Sequence, residues 1–210
     1  MTMTTMQTTK RTTKRTKTKP PAQPLRLSSR DAILAAAMTS LLKNPSATID
    51  EVVAASGVSR ATVFRQFPTR TDLVRAVGVS ALAGLERSLQ ELELDRGDAM
   101  QRLQRLMRVL IAHGEQLHFL IVAVELYDDA EVVAASDALD RYLVPVFDDA
   151  VAAGILRADV PRAWVWSVVD AVIFAAWHEV QRGTLGREQA VELVEDTLLR
   201  GLGVHAMPHR

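Results

Sequence analysis

A run of hydroxyl, guanidinium and aromatic side chains follows Gly57: Ser59, Arg60, Thr62, Phe64 and Arg65. On a short helix these types offer hydrogen-bond donors to phosphate oxygens and to base edges. Arg60 is the expected reader of a guanine edge or a phosphate, and Arg65 is either a phosphate contact or a solvated residue. Thr48 and Arg70 fall at the starts of two other expected helices, where unpaired backbone N–H groups favour an anion. This is chemistry of recognition. The sequence has no Walker glycine loop, no G-x-S-x-G elbow and no zinc signature. Asp128-Asp129 and Asp148-Asp149 are adjacent pairs, which point to different helix faces and make no two-carboxylate site. With 0 Cys there are no thiolate ligands or nucleophiles. His113 and His118 do not have the i, i+4 spacing of a helix-borne metal pair, and no H-E-x-x-H occurs. No enzyme, metal or cofactor is therefore expected.

The reading side chains need elements to hold them. Thr48 to Phe67, TIDEVVAASGVSRATVFRQF, has the pattern of two short helices about a glycine turn. Thr48 with Glu51 forms a capping-box pair. Ile49, Val52 and Val53 make one apolar face. Gly57 suits the left-handed end of the first helix, and Ser59 caps the second. Two helices about a glycine turn form a helix-turn-helix, whose second helix enters the major groove of DNA. The plain alternative is a helical hairpin inside an all-α domain. Ser28, with Asp31, is expected to cap a helix over 32–42, ended by Asn44-Pro45. Thr69, with Asp72, starts another from Arg70 into the 80s, linking this head to the remainder.

Formal net charge is zero, but residues 1–75 hold 13 Lys/Arg against 4 Asp/Glu and residues 76–210 hold 12 against 21. A basic N-terminal third implies a polyanionic partner, double-stranded DNA. Lys10, Arg11, Lys14, Arg15, Lys17 and Lys19 lie in a low-complexity stretch, residues 1–25, that is expected to be a disordered basic arm. It either adds phosphate contacts or serves as a solubilising tail. No run of 18 apolar residues free of charge occurs, and the basic N-terminus lacks an apolar signal core, so no membrane span and a cytoplasmic, nucleoid-associated protein are expected.

The acidic remainder, residues 81–203, reads as helical. Helices are expected over 99–113, over 117–126, over 130–153 as one long helix kinked at Pro145, over 162–181 with Asp159 as cap, and over 187–199. A tail, 204–210, carries His205 and His209. The helix over 162–181 is apolar on several sides, which suits a partner as well as a core. Val165, Val168, Val172 and Ala176, with Leu193 and Thr197 of the last helix, are the expected homodimer contact.

The stretch ATIDEVVAASGVSRATVFRQFPTRTDLVRAV resembles the DNA-binding domain of the TetR family of transcriptional regulators. Ala54, Gly57, Val58, Ser59, Phe64, Phe67, Pro68, Arg70 and Leu73 carry the resemblance, which covers roughly residues 28–80 of a DNA-binding domain expected over 26–80. The family commonly has tyrosine at the position of Phe64, whose hydroxyl often meets a phosphate; Phe64 keeps the packing without that bond. It commonly has lysine at the position of Arg70. The resemblance implies an all-α fold, a head joined through a linking helix to a C-terminal ligand-binding and dimerisation domain, and a dimeric repressor released from a palindromic operator by a small molecule. It also implies an effector pocket in the body, for which Met107, Phe119, Tyr127, Trp164 and Trp177 are the expected lining. A helical DNA-binding or protein-interaction module without effector control is the alternative.

Overall fold

The computed structural model describes residues 28–203, and every regular element in that span is helical apart from one isolated bridge between Leu156 and Gly203. The basic arm and the tail containing His205 and His209 lie outside the described residues. The helices are α1 (Ser29–Lys43), α2 (Ile49–Ser56), α3 (Arg60–Gln66), α4 (Arg70–Glu91), α5 (Ala99–Ala112), α6 (Gly114–Val122), α7 (Ala130–Asp137), α8 (Asp140–Ala152), α9 (Arg162–Gln181) and α10 (Arg187–Leu202), with a 3-10 turn at Val124–Leu126.

Local caps set the head. Ser28, Thr48, Ser59 and Thr69 are the N-caps of α1 to α4, and each side chain accepts a backbone N–H three residues on. Thr48 with Glu51 and Thr69 with Asp72 complete reciprocal boxes. Gly57 closes α2 at φ 66°, a left-handed conformation that costs an L side chain about 1–2 kcal/mol. Ile33, Ala37, Val52, Val63, Phe67 and Leu73 bury their side chains together beneath this turn. Burial of one such group contributes about 1.5–3 kcal/mol.

Helix α4 leaves that core and enters the next. Leu73, Val74 and Val77 face the head, whereas Leu82, Leu85 and Leu89 are buried in the body, and the two sets belong to one continuous apolar cluster. Around α4 pack α6 and α7 of the body and α1 of the head, while α5 packs on α8 and α10, and α9 on α10 and α6.

Three boundaries differ from the sequence expectation. The segment 130–153 is two helices, broken at Ala138–Leu139, and Pro145 lies inside α8. The break follows from burial: Leu139 turns into the core, and its N–H bonds the Ser136 carbonyl in a tightened turn. The cap of α9 is Pro161, because the Asp159 carboxylate is taken by Arg157. Gly114 does not simply break the chain; it opens α6 under Trp177, where an added Cβ would lie 2.8 Å from the Trp177 Cβ. By length and hydropathy alone α9 passes as long and apolar enough to cross a membrane, but it carries Asp170 and packs on α10 and α6, as a core helix does.

Gly114→Ala should therefore destabilise the body by about 1–3 kcal/mol, because the Trp177 Cβ is anchored to the backbone of α9 and cannot swing away. Equilibrium denaturation checks this; an unchanged midpoint would show that α6 and α9 can separate freely.

Candidate functional site

The exposed edge of the head is built by α2 and α3. Ser59, Arg60 and Arg65 are exposed, Thr62 and Phe64 half-buried. The Ser59 and Thr62 hydroxyls lie 2.9 Å apart, and the Arg60 guanidinium sits 4.7 Å above the Phe64 ring. The same guanidinium pairs with Asp50 of α2. Thr48 is exposed, and its hydroxyl donates to the Glu51 carboxylate at 3.0 Å. The Thr48 backbone N–H bond, then its side-chain bond, hold the Glu51 carboxyl below its ordinary pKa. Two carboxylates thus stand at the start of α2 beside the reading edge.

Arg70 has a different environment from the other expected contacts. Its Nε donates to the Ala47 carbonyl at 3.1 Å, its Nη1 to Glu125 at 2.8 Å and its Nη2 to the Pro45 carbonyl. Burial opposes the charged form of Glu125, but the Arg70 bond and charge win, so its carboxyl lies below the ordinary range. One turn on, Arg75 donates to Asp129 at 2.5 Å, and Asp129 also caps α7. The Arg75 bond is the largest influence that lowers the Asp129 pKa. These two arginines fasten the start of α4 to the body. The sequence placed Arg70 at phosphate and did not single out Arg75.

The charge of the head is smaller than the N-terminal third suggests. Residues 28–75 hold 6 Lys/Arg against 4 Asp/Glu. Most of the excess positive charge belongs to residues 1–27.

In the body, α4 to α9 line an open cleft of about 360 Å³, within the roughly 300–1,000 Å³ of small-molecule sites. Leu82, Leu85, Leu110, Leu120 and Leu143 make its apolar wall, with Trp166, Tyr127 and Asp170 at its edge. The Tyr127 hydroxyl donates to the Ile121 carbonyl at 2.5 Å. The expected lining is only partly gathered here. Of the five residues named, Tyr127 lines this cavity. Met107 borders a much smaller void between α5 and α10, and Phe119 is core at 1% exposure. Trp164 is 58% exposed on the outer face of α9, and Trp177 packs over Gly114 and His118. Trp166 and Asp170 were missed.

The expected dimer set is also split. Val165 and Ala176 are buried within this chain, because they share the inner stripe of α9 with Val169 and Ile173. Val168 and Val172 are half-buried, while Leu193 and Thr197 are exposed. Trp164, Ser167, Ala171 and Ala175 make the exposed face of α9.

His113 Nε2 lies 2.9 Å from the Ser88 hydroxyl, and burial lowers its pKa. His118 stacks on Phe174 at 4.2 Å, its pKa lowered by burial and then by His178. Among the described residues no three metal-ligating side chains come together.

A sequence model of the tetR family of bacterial regulatory proteins matches residues 33–77, the span from α1 through the turn to α4. The HTH-type transcriptional repressor LfrR of Mycolicibacterium smegmatis is 29% identical over 177 residues, covering 84% of this chain and 92% of that protein. The crystal structure of the TetR-like regulator LfrR from Mycobacterium smegmatis in complex with proflavine matches at a TM-score of 0.68 and 28% identity, covering 86% of this chain and 99% of that one. This chain is a TetR-family regulator. The HTH-type transcriptional regulator NfxB of Pseudomonas aeruginosa is 24% identical, covering 83% of this chain and 95% of that protein. As a TetR-family regulator the chain is a DNA-binding protein and not an enzyme.

The geometry of this TetR-family head yields two expectations. Arg60 and Asp50 form an exposed pair of the kind worth little in water, so Asp50→Asn should free Arg60 and tighten DNA binding by about two- to fivefold. A fluorescence-anisotropy titration measures this; weaker binding would mean that Asp50 orients Arg60 for its contact. Arg70→Ala should lower thermal stability yet leave the slope of log K against log salt unchanged, because its donors are spent on carbonyls and Glu125. A slope shallower by about one would instead place Arg70 on a phosphate.

Proposed function

We propose that this protein is a ligand-responsive, sequence-specific repressor that binds a palindromic operator as a homodimer and leaves it when a small molecule enters the body. The observation that carries this reading is the course of α4. It begins at Arg70 beside the head and ends by lining the body cavity with Leu82 and Leu85. A molecule that prefers one arrangement of the cavity wall shifts the population of head arrangements through that helix. The relative LfrR supports the reading, being described as a repressor and crystallised with proflavine.

Residues 26–80 act as the DNA-binding unit and 81–203 as the effector and dimer unit. Ser59, Arg60, Thr62, Phe64 and Arg65 form the edge set into the major groove, with Thr48 at the flanking phosphate. The lysines and arginines of residues 1–25 add electrostatic affinity. The dimer forms through the outer faces of α9 and α10, where Trp164, Val168, Val172, Leu193 and Thr197 leave apolar surface available. A two-fold pairing of these helices sets the spacing of the heads to half-sites about one DNA turn apart.

Selection of bound sequences from a random duplex pool is the direct test, and a palindrome should emerge that outcompetes random DNA at fixed salt. Equal competition by random DNA would reduce the chain to a non-specific binder. Arg60→Ala should relax preference at one position per half-site by about 1–3 kcal/mol if Arg60 reads a base. Uniform weakening on all sequences would assign Arg60 to phosphate.

A further inference from the structure

A second opening, of about 530 Å³, lies where the head meets the body. Helices α1 and α4 form its walls, and the start of α6 lines it as well. It stays open because Ala35 on α1 and Ser80 and Gly84 on α4 are too small to fill the angle between the helices. A Cβ added at Gly84 would meet nothing closer than His113 at 3.9 Å. Leu34, Val77 and Ala81 are its buried apolar floor, with Met38 half-buried beside them. Its charged groups are the Asp31 and Glu115 carboxylates and Arg87, which also donates to the Ala83 carbonyl of its own helix. Gln116 Oε1, on the same wall, is buried with no hydrogen-bond partner among the described residues.

We propose that this groove holds the chain's own segment Lys17–Leu27, KTKPPAQPLRL, and so withholds its cations from DNA. The withholding rests on the reading that the N-terminal cations add affinity for DNA; the docking does not. The described residues begin at Ser28, one helical turn from Asp31 on the groove, so the preceding chain enters beside it. The α1 wall from Asp31 to Thr39 is about 12 Å long. About four extended residues cover that distance, and eleven are available. The segment has three cations and no carboxylate, which complements Asp31 and Glu115. Leu25 and Leu27 offer side chains to the apolar floor, and Pro20, Pro21 and Pro24 reduce the chain entropy lost on docking. A short tether gives an effective concentration of about millimolar, so a contact too weak to bind in trans is populated in cis.

The test is limited trypsin cleavage of the full chain. Trypsin cuts after Lys17 and Arg26 within the segment and after Lys10, Arg11, Lys14 and Arg15 ahead of it; Lys19 precedes Pro20 and is not cut. Cleavage follows the undocked population. Ala35→Gln, which fills the groove without adding charge, should speed cleavage after Lys17 and Arg26 by about threefold or more and leave the earlier sites unchanged. Glu115→Gln should do the same from α6, where it cannot act by fraying α1. Thermal unfolding confirms that both variants fold. Unchanged rates, or equal acceleration at every site, overturn the docking. Protection that grows with protein concentration assigns the groove to the arm of a second copy and overturns the intrachain form. Ala35→Gln should also tighten binding to random duplex by about two- to fourfold at low salt. Faster cleavage with unchanged DNA affinity leaves the docking standing and removes the N-terminal cations from the DNA reading.

Discussion

Helix α4 has to satisfy two cores at once, and most of the architecture is arranged around that requirement. Its first turns carry Leu73, Val74 and Val77 into the head, and its later turns carry Leu82, Leu85 and Leu89 into the body. A 22-residue helix extends about 33 Å and resists bending between these points. The head therefore cannot change its angle to the body without sliding α4 against one of the two cores. Arg70 and Arg75 strengthen the constraint, because both reach from the start of α4 to the segment around Glu125 and Asp129. That segment contains Tyr127, which lines the body cavity. Packing and electrostatics consequently meet at the same end of one rigid element.

The reading edge is restrained by the same economy of contacts. Arg60 is held by Asp50 and lies over Phe64, and Thr48 is tied to Glu51. These partners hold the side chains in place, and in the proposed complex with DNA the contacts would be exchanged for phosphate. The exchange is mild, since the pairs are exposed and water already screens them.

The head was largely legible in the sequence because its determinants are local. Ser28, Thr48, Ser59 and Thr69 each act within three residues of themselves, and Gly57 needs only its own backbone. The body was less so because its determinants are distant in the chain. Pro145 drew the expected break, yet Leu139 made it by turning into the core. Aromatic type signalled burial but not which void a ring would border: Trp164 and Trp166 are two residues apart on α9, and only Trp166 reaches the cavity. Val165 and Ala176 were assigned to a partner because periodicity shows a second apolar stripe without showing which stripe faces inward. The signal for Asp170 was present all along, as a lone carboxylate in the run from Ala163 to Trp177.

The near-neutral head has a consequence for how the protein meets DNA. With 6 Lys/Arg against 4 Asp/Glu over residues 28–75, the folded reader exerts little pull at a distance, whereas residues 1–27 hold 7 Lys/Arg and no Asp/Glu. Long-range attraction scales with net charge and fades within about 10 Å at moderate salt. On the proposed reading, finding DNA and choosing a site fall to different stretches of one chain. The speed of the search would then follow the leading cations and ionic strength. The choice of where to stop would fall to a few uncharged hydroxyls, one aromatic ring and a guanidinium that has to let go of its own carboxylate first.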